Sequence, residues 1–116
     1  MGEFTHFNQH GDAIMVDISK KAETAREAIA EGRISMNQEC FDQLKAGSIG
    51  KGDVLGVARI AGIMGAKKTS ELIPLCHLLS LTKAEIDFEL EDETCSVRTI
   101  CTVRTTGKTG VEMEAL

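Results

Sequence analysis

The stretch "KAEIDFELEDETCSVRTICTV", residues 83–103, alternates apolar and polar side chains over most of its length. Ala84, Ile86, Phe88 and Leu90 fall on one face of an extended chain, and Lys83, Glu85, Asp87, Glu89 and Glu91 on the other. Successive side chains of a strand point to opposite sides, so this is the pattern of a strand with one buried face. Beyond the turn-like Asp92-Glu93-Thr94, the residues Cys95, Val97, Thr99, Cys101 and Val103 share a face in the same way. Two such runs joined by a short polar turn predict a β-hairpin. Cys95 and Cys101 are then expected as small hydrophobes on its buried side.

Working upstream, "GKGDVLGVARIAGIMGAKKTSEL" has apolar residues at 54, 57, 58, 60, 61, 64 and 66. That spacing predicts a helix, with Asp53 as its N-terminal cap and Lys67 and Lys68 in its last turn. Gly56, Gly62 and Gly65 each cost a helix interior on the order of 1 kcal/mol relative to Ala, so they are expected where another backbone comes close. "MNQECFDQLKAG" predicts a second helix, from an Asn37 N-cap to a Gly47 C-cap. Residues 13–18, "AIMVDI", read as a short strand. "ETAREAIAEGRISM" has a helical composition, but Ala28, Ala30, Gly32, Ile34 and Met36 also fit a period of two, which favours a strand over its second half. The sum is an α+β domain, an antiparallel sheet packed against helices.

Composition excludes several classes of function. The chain has 116 residues, 42% hydrophobic and 27% charged, which suits one domain with a modest core. No apolar run approaches the roughly 20 residues of a membrane span, and the polar "MGEFTHFNQHGD" is not a signal peptide. The expected compartment is therefore the cytoplasm, with the four cysteines as thiols. With 3% aromatic residues and a net charge of −5, the chain offers neither a base-stacking platform nor a general polyanion surface, so no nucleic acid and no membrane is expected as partner. The charge is uneven, however. From Lys45 to Lys83 six basic residues stand against two acidic ones, a local net of +4, and a compact anion is the ligand such a cluster fits.

Two glycine-lysine turns resemble phosphate loops but fail the P-loop test. "KAGSIGKGD" has Lys45 where the first glycine belongs and Gly52 where Ser or Thr should hold magnesium, and "TTGKTG" has Thr102 at the first glycine position. Each still delivers a lysine just ahead of an apparent helix start, where anions bind well. "SELIPLCHLL", residues 70–79, holds the only proline, Pro74, three residues ahead of His77, with Cys76 beside it. Adjacent Cys and His rarely converge on one ion, since ligand pairs need two to four intervening residues. No metal and no cofactor is expected.

The blocks "MVDIS", "KAETAREA", "KGDV", "ARIAGIMGAKKT", "LIPLCH" and "TGKTGVEMEAL" together resemble the cyclic pyranopterin monophosphate synthases, the MoaC family of molybdenum cofactor biosynthesis. The resemblance runs through essentially the whole chain. It implies a ferredoxin-like arrangement and an enzyme that converts a cyclised guanosine triphosphate, 3',8-cyclo-7,8-dihydro-GTP, to cyclic pyranopterin monophosphate with release of pyrophosphate. It implies catalytic roles for Lys51, Lys67 and His77, and substrate contacts at Arg26, Leu75, Cys76, His77, Glu112, Met113 and Glu114. It also implies a homohexamer, a trimer of dimers, with active sites at subunit contacts. The chain departs from the family at Leu78, where a proline would restrict the backbone of His77. It also stops as "VEMEAL" begins a helix, so a single domain over residues 1–116 without the family's C-terminal helix and tail is expected, and a non-catalytic anion-binding or assembly module is the alternative function.

Residue chemistry agrees with these roles. Expelling pyrophosphate requires fixed cations at the developing charge, and ring rearrangement requires proton transfer near neutral pH, which imidazole performs. Pyrophosphate is expected to bind with a steep salt dependence. Replacing Lys51 and Lys67 together by Ala should abolish that binding in a calorimetric titration, and unchanged affinity would refute the assignment.

Overall fold

The computed structural model describes residues 11–20, 22–47, 53–73, 77 and 79–116. Among these, β1 spans Thr24–Ser35, α1 Gln38–Ala46, α2 Val54–Lys67, α3 Thr69–Leu72, β2 Leu81–Glu91, β3 Ser96–Gly107 and α4 Glu112–Ala115. The hairpin forms as its alternation dictates, with Ala84 opposite Val103, Ile86 opposite Cys101 and Leu90 opposite Val97. Asp92–Thr94 close it as one turn of 3₁₀ helix.

β1 pairs antiparallel with the far side of β3, so the sheet order is β1-β3-β2. Its ladder runs unbroken from Thr24↔Gly107 to Ser35↔Ser96. The strand reading of residues 23–36 thus extends over the first half as well, where the helix-favouring composition is overridden by pairing with β3. A helix crossover between β1 and β2, a hairpin to β3 and a helix after it are the leading elements of a ferredoxin-like βαββαβ arrangement. The sheet packs against its helices as expected for an α+β fold.

One face of the sheet carries the core. Val103 is 0% exposed on the central strand and packs with Val111 and Ala115 at the α4 end, with Leu79, Leu81, Ala28 and Cys101 around them. Beside this cluster α2 lies on β2. Arg59 Nε donates to the Ile86 carbonyl at 2.9 Å, and its guanidinium lies 5.5 Å from the Phe88 ring centre. Gly62 faces the Ile86 side chain so closely that a Cβ there would overlap Cδ1. The close partner of this glycine is therefore a side chain and not, as the sequence led us to expect, a backbone. Gly56 instead lies against its own helix cap, Asp53, and Gly65 faces open space.

Helix ends follow the sequence. Asn37 Oδ1 accepts from Cys40 N at 2.8 Å, Gly47 closes α1 at φ 67°, and Asp53 Oδ1 accepts from Gly56 N at 2.9 Å. Phe41, 1% exposed, anchors α1. Cys95 departs from expectation. It lies before β3, in the left-handed region at φ 49°, and its thiol donates to Gln38 Oε1 at 3.2 Å instead of packing on the inner face. Closing a three-residue 3₁₀ turn requires that backbone reversal, which ends the alternation one residue short.

Residues 13–18 are not a strand; Ala13 forms an isolated bridge and the rest is irregular. Asp17 Oδ1 accepts from Ser19 N at 2.9 Å, a side-chain turn that breaks extension. The carbonyls of Val16 and Ser19 are taken by side chains.

The Gly62–Ile86 contact is open to a mutant cycle. An interior Gly→Ala exchange ordinarily stabilises a helix by about 0.8–1 kcal/mol. Gly62→Ala should gain nothing in the parent, but should regain about that amount alongside Ile86→Val, which deletes the Cδ1 methyl. Urea unfolding of the four proteins measures the coupling, and strict additivity would refute the contact.

Candidate active site

At the end of the sheet where β1 begins and β3 ends, polar side chains gather on backbone oxygens. Arg26 Nε donates to the Gly107 carbonyl at 3.2 Å, across the last rungs of the β1–β3 ladder. Thr105, buried, donates through Oγ1 to the Ser80 carbonyl at 2.6 Å and so fixes the approach to β2. His77, half-buried, is three residues before Ser80, and its Nε2 lies 2.7 Å from the Val16 carbonyl. Lys108 Nζ donates to the Ser19 carbonyl at 3.3 Å. The segment 16–19 is thereby held across the sheet end by an imidazole and an ammonium. The Ser19 hydrogen bonds hold the Asp17 carboxyl below its usual range.

A second feature lies beyond the Val103 cluster. A cleft of about 590 Å³ opens between the inner face of the sheet, the α2–α3 junction and α4, with Ala30, Ile34, Ile86 and Leu116 on its walls. Met113 and Glu114 line it too. Glu114 is 8% exposed and has no hydrogen-bond or ion-pair partner among the described residues. Its carboxylate stands on this wall as a hydrogen-bond acceptor. Cys101 also lines the cleft, and burial pushes its thiol pKa up.

The structure therefore divides the expected site residues. Arg26 and His77 belong to the sheet end, Met113 and Glu114 to the cleft. Lys67 closes α2 on the surface, next in sequence to the cleft-lining Ala66 and without an ion pair among the described residues. Glu112 is exposed, with its carboxylate folded back over Gly110. Lys51, Leu75 and Cys76 lie outside the described residues, as do Pro74 and Leu78. Sequence reasoning took Lys108 for an anion-binding lysine ahead of a helix start, not for a donor to the Ser19 carbonyl, and gave no role to the Val16 carbonyl. No side-chain pattern reports a main-chain acceptor, so the second could not have been found from residue types.

The family model described as the MoaC family matches residues 15–116. A cyclic pyranopterin monophosphate synthase of Heliobacterium modesticaldum is 55% identical over 116 residues, all of this chain and 73% of that protein. Proteins of the same name from Clostridium botulinum and Brevibacillus brevis are 57% and 56% identical over 114 residues, 98% of this chain and 72% and 71% of theirs.

Thiol reactivity offers a test of the cleft. With its pKa raised, Cys101 holds little thiolate at pH 8 and should alkylate slowly, whereas exposed Cys40 should react early. Time-resolved iodoacetamide labelling read by peptide mass spectrometry measures the order. Cys101 reacting as fast as Cys40 would contradict the burial of its thiol on the cleft wall.

Proposed function

Because the chain belongs to the MoaC family, we propose that it acts as a cyclic pyranopterin monophosphate synthase in molybdenum cofactor biosynthesis, taking 3',8-cyclo-7,8-dihydro-GTP to the cyclic pyranopterin with release of pyrophosphate. The observation that carries this reading is the match over residues 15–116 to a family whose named members make that product. The roles of individual residues are those the family resemblance implies, and their chemistry suits them. Lys51, Lys67 and Arg26 hold the triphosphate and stabilise the charge that builds on departing pyrophosphate. His77 moves protons during ring rearrangement. Glu112, Met113 and Glu114, with Leu75 and Cys76, position the rest of the substrate, the Glu114 carboxylate accepting from its N–H or O–H groups.

The separation of Arg26 and His77 from Met113 and Glu114 by the Val103 cluster supports assembly. Two patches on one protomer converge on one substrate when copies pack against each other, which favours the homohexamer and sites shared between subunits. The working compartment is the cytoplasm, where Cys40, Cys95 and Cys101 stay reduced. Among the described residues no helix is long and apolar enough to cross a membrane.

Turnover tests this directly. Incubated with the cyclised triphosphate, the protein should release one pyrophosphate per pterin formed, and Lys67→Ala should lower kcat/KM by roughly 10²–10³-fold, the usual loss when one charge-stabilising group is removed. Pyrophosphate binding without any release from substrate would instead identify a non-catalytic anion-binding module.

A further inference from the structure

We infer that the Val16 carbonyl selects the working nitrogen of His77: Nε2 is committed as a donor to Val16, and Nδ1 is the atom that takes up the substrate's proton. The inference rests on the proton-transfer role proposed above for His77 and adds to it the atom and the positioning group. A carbonyl oxygen has no proton to give, so at a separation of 2.7 Å the ring nitrogen must be the donor. Neutral imidazole carries one N–H, and the hydrogen bond at one nitrogen decides which nitrogen holds it. With Nε2 protonated, the lone pair of the neutral ring is on Nδ1. The opposite tautomer would set a lone pair against the carbonyl oxygen and leave a partly buried acceptor unsatisfied, which is unfavourable.

The acceptor is itself held in place. One residue on, the Asp17 carboxylate closes a turn with Ser19 N at 2.9 Å, and Lys108 Nζ reaches the Ser19 carbonyl at 3.3 Å. Lys108 directly follows Gly107, whose carbonyl takes Arg26 Nε, so segment 16–19 is tied back to the same sheet end. Val16 is thus a positioning residue acting through its main chain. When a proton leaves a substrate atom, the bond from that atom to hydrogen breaks and an N–H forms at Nδ1. The imidazolium keeps its Nε2–H on Val16, and that bond becomes charge-assisted and stronger. Returning the proton from Nδ1 to product or water restores the same tautomer without a ring flip. A base oriented by a third group through its second nitrogen is a recurring catalytic arrangement.

The test uses the full chain labelled with ¹⁵N-histidine. The expected spectrum of the neutral ring shows an unprotonated Nδ1 and a visible Hε2 resonance with nuclear Overhauser contacts to the α-protons of Val16 and Asp17. A protonated Nδ1, or an Hε2 lost to solvent exchange, overturns the inference while leaving the proposed reaction standing. Two variants supply the second readout. The glutamine amide of His77→Gln can occupy the Nε2 position and keep the Val16 bond, yet has no base at Nδ1. It should hold KM while kcat falls at least ~10²-fold. His77→Asn places its amide nearer the Nδ1 position, and should lose the contacts that tie residues 16–19 as well as turnover. Parental kcat in His77→Gln with the Val16 contacts intact would mean that His77 only anchors the segment, and would refute both the Nδ1 role and the proton-transfer role on which it rests.

Discussion

The fold depends on a single column of side chains across the sheet. Val103 on the central strand stands between Ala28 of β1 and Ala84 of β2, and Val111 and Ala115 cover it. Small residues on both flanks let α4 settle against the strand, so the buried surface is made by two valines set among alanines. A slip of one residue in either pairing would turn Val103 out to solvent and bring Thr102 or Arg104 inward. The register of all three strands is fixed by that penalty.

The opposite face shows what the same register does to charge. Arg33 and Arg98 are direct partners across β1 and β3, a repulsive pairing on its own. Glu91 accepts from Arg33 at 2.7 Å, Glu89 from Arg98 at 2.8 Å, and Glu31 also bonds Arg98. These acids come from strands on both sides of β3. The Arg98 hydrogen bond, and then its charge, lowers the Glu31 pKa, so the contribution of this carboxylate to stability is present above its unfolded pKa and is lost as pH falls through the lower folded value. The acidic run that follows the basic segment in sequence thus neutralises arginines of the sheet through Glu89 and Glu91, and the two lysines that bound the basic segment through Asp92 on Lys45 and Glu85 on Lys83.

The parts legible in the sequence were those specified by side chains near each other along the chain. The hairpin alternation, the Asn37 and Asp53 caps and the Gly47 stop each need only a few residues and one geometry. β1 was half legible, because Ala25, Glu27 and Ala28 are good helix formers and only pairing with β3 makes them a strand. Residues 13–18 were misread since their apolar content mimics a strand, while the Val16 carbonyl, and that of Ser19 just beyond, are claimed by His77 and Lys108 from far along the chain. Cys95 was misplaced by a turn that spends one residue on a left-handed backbone. For the candidate site the family resemblance supplied the residues to look for, while the division of Arg26 and His77 from Met113 and Glu114 was not legible, because it depends on where the Val103 column falls between them.

A histidine anchored to main chain constrains inheritance differently from one anchored to a carboxylate. Replacing the Val16 side chain leaves its carbonyl in place, so substitution there should drift freely as far as the ring is concerned. Losing or gaining one residue between Val16 and β1, which begins at Thr24, would carry a different carbonyl to the imidazole or none. What descent must preserve along this segment is spacing, and a lineage could rewrite most of its letters while never changing its length.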